Sequence, residues 1–349
     1  MSILFEPLKV GDLTLRNRII MCPLTRCRAG EERIPNKMMA KYYSDRASVG
    51  LIIAEATAVD PMGVGYPHTP GIWSEEQVEG WKLVTAEVHK KGGKIFLQLW
   101  HVGRISDPIY LNGKSPLAPS AIKPAGNASL VRPVKEFETP KEMTLSEISQ
   151  TIEAFRKGAE NAKKAGFDGV EIHGANGYLV DQFLQTGTNK RTDNYGGTLE
   201  NRLRFALEVT DAVLSVWDRG RVGFHISPRC DTHDMTDENP IETFSHLLKE
   251  LGKREIAFVF ARSSLLPDNL SKTLKTAFGG IYIVNQKLTK ESAEEAINEG
   301  MADAAGFGQS MIANPDLLQR FKQGAALNKP KPATYYTFDE IGYNDYPTL

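Results

Sequence analysis

The sequence has few cysteines, no long apolar run and no excess of charge of either sign. Its three cysteines, Cys22, Cys27 and Cys230, are too few for a disulfide framework, and their spacing matches no metal site. No apolar stretch approaches the roughly 18 residues of a membrane-spanning helix, and the N-terminal MSILFEPLKV lacks the features of a signal peptide. The net charge of −1 gives no electrostatic reason to expect nucleic acid as a partner. We therefore expect a cytoplasmic protein that binds no metal, no nucleic acid and no membrane.

Short apolar or β-branched runs alternate with helical patterns along the 349 residues. The stretch 74–93 begins with Ser74 and Gln77 at the spacing of a capping box, and 144–166 repeats apolar residues at helical intervals. Strands that alternate with helices indicate a parallel sheet, and eight such units predict one (β/α)8 TIM barrel spanning 1–349. The predicted strands are 18–24, 51–59, 94–101, 169–175, 222–227, 256–263, 280–285 and 303–308.

Two segments are additions to this plan, because the chain is longer than the ~250 residues typical of the fold. Residues 2–18 read as a β-hairpin that turns at Val10-Gly11-Asp12 and caps one barrel end. Residues 105–143 are rich in Pro, Gly, Ser and Asn and follow the third predicted strand. We interpret them as a lid insertion that overhangs the carboxyl-terminal mouth.

The polar residues at the ends of the predicted strands are almost all uncharged. In this fold the chemistry lies on the loops that follow the strands. Neither a carboxylate pair, a His/Cys/Asp cluster nor a nucleophile elbow stands there, which favours a flat aromatic cofactor with polar edges over a hydrolase site. Strands seven and eight end near Asn285, Gly308 and Gln309, where backbone N–H groups can approach a phosphate. A phosphorylated flat cofactor in a barrel suggests FMN.

The stretch EIHGANGYL (171–179) places His173, Asn176 and Tyr178 close together after the fourth predicted strand. Each also has a structural explanation: His173 as a satisfied structural histidine, Asn176-Gly177 as a turn, and Tyr178 as a core residue. By the same reasoning Thr25 could cap the following segment, and Trp100 could belong to the core.

Several longer motifs resemble one family. They are RNRIIMCPLTRCRA, EATAVDPMGVGYPHTPGIWSEEQ, LQLWHVGR, GFDGVEIHGANGYLVDQFLQTGTNKRTDNYGGTLENR, IANPDL and GYNDYPTL. With them the sequence resembles the old yellow enzyme family of FMN-dependent ene reductases over essentially the whole chain. The resemblance implies a TIM barrel that binds FMN non-covalently and uses NAD(P)H as reductant. It also implies reduction of the C=C bond of α,β-unsaturated carbonyl or nitro compounds.

The resemblance also implies roles for individual residues. Thr25 would hydrogen-bond the flavin C4 carbonyl, Gln98 the pyrimidine edge, and Ala56 would offer its backbone to the same face. The other expected cofactor contacts are Pro23, Leu24, His225, Asn285, Gly308 and Gln309. His173 and Asn176 would bind the substrate oxygen while Tyr178 donates a proton to the α-carbon. The substrate pocket would be shaped by Tyr66, Trp100 and Tyr336.

Two positions depart from the family pattern. His225 stands in strand five where many members have an arginine that faces the flavin, and Gln309 stands where many have a phosphate-binding arginine. We therefore expect weaker FMN binding and a lower reduction potential, with His225→Arg raising the potential. Other hypotheses are reduction of nitroesters or nitroaromatics by the same flavin, and a flavin-poor relative that binds ligands with little turnover. Both monomer and homodimer are compatible with the sequence.

Overall fold

A computed structural model describes residues 2–230, 232–263, 265 and 269–349 of the chain. Eight parallel strands close into a barrel in which every strand lies beside its neighbours in sequence, so the (β/α)8 fold is confirmed. Residues of these strands are buried on both faces, as expected where helices cover a parallel sheet. The barrel strands, numbered one to eight, are Ile19–Met21, Leu51–Ala58, Ile95–Trp100, Gly169–Gly174, Val222–Ile226, Phe258–Arg262, Tyr282–Asn285 and Ala304–Phe307.

Helices cover the outside of the barrel, and one of them begins at the cap that the sequence indicates. Ser74 and Gln77 form the expected capping box at the start of Glu75–Lys90, and Thr144 caps Leu145–Lys164 in the same way. The remaining helices are Lys37–Ser44, Leu179–Leu184, Leu199–Leu214, Pro240–Lys253, Leu270–Phe278, Lys290–Asn298, Gln309–Ala313 and Leu317–Gln323. None of the helices in the described ranges is long and apolar enough to cross a membrane.

The N-terminal hairpin closes the amino-terminal end of the barrel, opposite the expected site. Strands Leu8–Val10 and Leu13–Leu15 pair antiparallel, and the turn between them needs Gly11, which has a φ of 54° and lies against the Gly220 backbone. Apolar hairpin residues pack on the side chains that fill the barrel near the strand starts. The hairpin thus covers the amino-terminal end of the barrel with apolar surface.

The insertion after strand three packs beside the mouth. It contains the short pair Leu117–Ala118 and Lys141–Glu142, and Ala128, Val131 and Phe137 pack in one apolar cluster with Trp100. No residue of 105–143 lines the large cavity described below. The insertion therefore supports the aromatic wall of the cavity from behind, and a lid function for it stays a prediction.

Candidate active site

A cavity of about 890 Å³ opens at the carboxyl ends of the barrel strands. Its lining includes every residue that the sequence predicted for cofactor binding, together with His173, Asn176, Tyr178, Tyr66 and Tyr336. Trp100 is the exception, because it is fully buried and does not line the cavity. It instead packs behind Tyr66 and Tyr178, with ring centroids 5.5 and 5.1 Å away. Trp100 also stacks on His173, with the ring centroids 6.4 Å apart, and therefore shapes the pocket by holding the rings that line it in place.

A tight turn after strand four aims Asn176 and Tyr178 at the cavity. Asn176 and Gly177 both have positive φ values, 60° and 76°, a conformation that Asn and Gly tolerate best. The Asn176 N–H donates to Ser227 Oγ at 2.6 Å, and the Gly177 N–H donates to the buried carboxyl of Asp181 at 2.9 Å. The Asn-Gly pair is thus a turn, and this turn also places Asn176 on the cavity wall.

Two tyrosines share a hydrogen bond on one wall. The hydroxyl oxygens of Tyr66 and Tyr178 are 2.8 Å apart. Burial raises the pKa of both phenols, that of Tyr178 well above its usual 10. Tyr178 therefore carries its proton at neutral pH and is available as a donor.

Three polar side chains, Gln98, His173 and His225, form the buried floor of the cavity, and the buried carboxyl of Glu171 lies behind Gln98. Gln98 Nε2 donates to Glu171 Oε2 at 2.6 Å and lies 3.0 Å from His225 Nδ1. His225 stacks on His173 with the ring centroids 5.2 Å apart. Burial raises the pKa of Glu171 to about 8 and lowers that of His173 to about 3, while the pKa of His225 falls well below 6.5. All three are therefore uncharged near neutral pH.

This floor leaves hydrogen-bonding atoms unused. Since His225 Nδ1 faces the Gln98 amide nitrogen, it accepts, and the ring proton belongs on Nε2, which has no hydrogen-bond partner among the described residues. His173 Nδ1 is also buried, and the same part of the chain offers it no partner. Buried polar atoms without partners are costly, so a ligand with polar edges gains by satisfying them. The floor fits the pyrimidine edge of a flavin, which carries both donors and acceptors.

The cavity lining also includes residues that sequence reasoning did not select, five of which matter for its chemistry. Cys22 and Phe260 supply apolar surface, while Arg262, Lys287 and Lys329 supply positive charge. No carboxylate belongs to the described lining. Arg262 was overlooked because an arginine at the end of a strand carries no motif. The two lysines were overlooked because they lie in loops that only the fold brings together.

The ends of strands seven and eight form a second polar region. Gly306, Gly308, Gln309 and Ser310 line the cavity here beside Asn285. A Cβ on Gly306 would approach Phe260 Cζ to 2.6 Å, so a larger residue here would displace the Phe260 ring. Gln309 is uncharged, but Lys287 and Lys329 add positive charge to the lining. This end of the cavity therefore suits a phosphate. The residues present therefore fit FMN at both ends.

No metal centre accompanies this site in the described part of the chain, where His, Cys, Asp and Glu form no group of three that could hold an ion. All three cysteines are free.

Comparison with known proteins gives consistent matches over the whole length. Residues 3–328 match the model of the NADH:flavin oxidoreductase / NADH oxidase family. A probable flavin mononucleotide-dependent alkene reductase from Leishmania infantum is 43% identical, over 100% of this chain and 98% of its own length. The 12-oxophytodienoate reductase 1 of Oryza sativa subsp. japonica is 40% identical, over 99% of this chain and 93% of its own.

Solved structures agree with these matches. Morphinone reductase in complex with tetrahydroNAD superposes with a TM-score of 0.96 at 44% identity, covering 99% of this chain and 97% of that one. An old yellow enzyme homologue from Zymomonas mobilis gives a TM-score of 0.96 at 41% identity, covering 99% of both chains.

Proposed function

The chain belongs to the NADH:flavin oxidoreductase / NADH oxidase family, the old yellow enzyme family, and from this premise we propose that it is an FMN-dependent ene reductase. It reduces the C=C bond of α,β-unsaturated carbonyl or nitro compounds at the expense of NAD(P)H. The observation that carries the proposal is the convergence of His173, Asn176 and Tyr178 on one cavity with an uncharged polar floor.

FMN, when bound, supplies the hydride that passes from the nicotinamide to the β-carbon of the alkene. The flavin ring would be held by Thr25, the Ala56 backbone, Gln98 and His225 with its free Nε2. Pro23 and Leu24 contribute contact surface. The phosphate would be held by the backbone near Gly308, with Asn285 and Gln309 beside it and the lysines of the lining nearby.

His173 and Asn176 bind the substrate oxygen as neutral donors. Burial keeps His173 uncharged, so its imidazole offers one N–H, and the Asn176 amide offers another. Negative charge grows on the substrate oxygen as the β-carbon accepts hydride. Donors already fixed in a buried site stabilise that charge without reorganising, which is worth a few kcal/mol per donor.

Tyr178 supplies the proton to the α-carbon. Its ring centroid lies 5.0 Å from that of His173, so the donor of the proton and the binder of the oxygen face one small molecule. The Tyr66 hydroxyl lies 2.8 Å from Tyr178 Oη and holds this phenol in place, and solvent returns the proton to Tyr178 after the transfer. Tyr66 and Tyr336 border the space for the rest of the substrate, and Trp100 packs behind Tyr66.

NADH is the reductant to test first, because a solved relative binds a tetrahydro analogue of NAD. Free thiols at all three cysteines are in keeping with a reducing cytosol. The enzyme would work there as a monomer or homodimer. The alternative of a flavin-poor protein that merely binds ligands is weaker. The relatives of this chain named above are reductases, and they match it over nearly their whole length.

Product analysis tests the proposal. FMN-loaded protein with NADH and 2-cyclohexenone should give cyclohexanone in a one-to-one ratio with NADH consumed under nitrogen. Parallel reactions with a nitroester and a nitroalkene separate the competing acceptors by product. Oxidation of NADH without any saturated or denitrated product would refute the proposal.

A further inference from the structure

Arg262 ends barrel strand six and lines the cavity. In the parallel pairing Phe260 lies opposite His225 of strand five, and Arg262 lies opposite Asn285 of strand seven. The Arg262 side chain reaches back past strand five, because its Nη1 donates to Oδ1 of Asn176 at 2.7 Å. Since Asn176 follows strand four, the Arg262 side chain links the end of strand six to the loop after strand four.

The positive charge of Arg262 lies beside uncharged side chains of the cavity floor. Within the described residues it forms no ion pair, and the two imidazoles that feel its charge, His173 and His225, are held in their uncharged forms by burial. The two other cations of the lining come from different loops, Lys287 after strand seven and Lys329 in the C-terminal segment. Arg262 therefore places the fixed positive charge at the end of the cavity where the substrate oxygen is bound.

The hydrogen bond from Arg262 fixes the orientation of the Asn176 side-chain amide. A guanidinium has only donors, so it selects the rotamer in which Asn176 presents Oδ1 to Arg262. The Asn176 Nδ2 group is then turned away from Arg262 and has no hydrogen-bond partner among the described residues. Without Arg262 the amide could flip and present its oxygen to a ligand oxygen, which would be repulsive.

We propose that Arg262 is a specificity-determining residue, which attracts a negatively charged planar group into the cavity and holds Asn176 with its amide nitrogen facing the ligand. The inference rests on the proposed function and deepens it. The planar anion could be the reduced flavin ring or a carboxylate on the substrate, and these two sources share the chemistry that an arginine recognises.

Two variants separate charge from hydrogen bonding. Arg262→Gln removes the charge, whereas Arg262→Lys keeps it in a different shape. Arg219→Gln, on the surface with the side chain 65% exposed, controls for the change in net charge. All three are measured as FMN-loaded enzymes beside the wild type.

The first readout is the reduction potential of the bound flavin. If the reduced ring is the anion, Arg262→Gln weakens binding of reduced relative to oxidised FMN by about tenfold, a fall of about 30 mV for a two-electron couple. The second readout is KM for 2-cyclohexenone and for a cyclohexenone that bears a carboxylate. If a substrate carboxylate is the anion, Arg262→Gln raises KM about tenfold for the acid alone. Arg262→Lys should retain most of either effect.

Either result supports the proposal and identifies the source of the anion. Values for Arg262→Gln that match those of Arg219→Gln in both assays would overturn it, as would equal losses in Arg262→Lys and Arg262→Gln, since charge would then be irrelevant. A wild type that retains no FMN would instead count against the proposed function itself.

Discussion

Replacing Tyr178 by Phe removes one oxygen from the cavity wall and, on our account, the proton donor. General acid catalysis typically contributes 10²- to 10⁴-fold, which is about 3–5 kcal/mol of the barrier. The lost hydrogen bond to Tyr66 contributes only about 0.5–1.5 kcal/mol to stability. We therefore expect Tyr178→Phe to fold, to bind FMN and to be reduced by NADH at nearly the wild-type rate. Its reoxidation by 2-cyclohexenone, followed by stopped-flow absorbance under nitrogen, should be at least ~100-fold slower.

Tyr66→Phe is the matched control, since it removes the same hydrogen bond, of 2.8 Å, from its other end. Both variants should lose similar stability, while Tyr66→Phe keeps the proposed proton donor and loses about tenfold or less in reoxidation. Equal rates of reoxidation in the two variants would refute the assignment, because the effect would then belong to the pair and not to the acid.

Further predictions follow from burial, backbone geometry and charge. Burial raises the Glu171 pKa from 4.5 to about 8, so the unfolded chain releases this proton at lower pH than the folded protein and stability falls as the pH rises between those values. Glu171→Gln should flatten that fall, and melting curves from pH 4 to 9 check it. A Cβ at Gly177, where φ is positive, would lie 2.8 Å from a side-chain atom, whereas a Cβ at Gly197 would meet nothing within 4 Å. Gly177→Ala should therefore lose more stability than Gly197→Ala, about 1–3 kcal/mol by chemical denaturation, and more turnover. Lys287→Gln and Lys329→Gln should each weaken FMN about tenfold and leave riboflavin, which has no phosphate, unaffected in fluorescence titrations; equal loss for both ligands would contradict a phosphate contact.

The barrel could be predicted from sequence because each of its units carries a local signal. Runs such as LIIAEATAV and KIFLQLWH have the length of buried strands, and Ser74 with Gln77 marks a helix start by spacing alone. The insertion at 105–143 was less tractable. Its composition indicates a loop, but which surface it covers depends on contacts with Trp100 and its neighbours that no local pattern encodes.

The candidate site was predictable where its residues lie in recognisable motifs and not where their role depends on a contact between strands. His173, Asn176 and Tyr178 stand in one stretch, and the fold brings all three to the cavity. Arg262 was invisible because its importance depends on a contact across strand five. The expectation that two missing arginines leave the site short of charge took no account of Arg262, Lys287 and Lys329, so the expected weak FMN binding stays a prediction.

The central claim is that this cavity holds FMN and that the bound flavin passes electrons from NADH to an activated alkene. The most direct measurement is the visible spectrum of the purified, desalted protein under nitrogen, recorded before NADH, after one equivalent of NADH, and after one equivalent of 2-cyclohexenone. The account predicts a retained flavin spectrum near one equivalent, which NADH bleaches and the enone restores. A protein that retains no flavin even after incubation with excess FMN, or one whose bleached flavin the enone leaves unchanged, would contradict it.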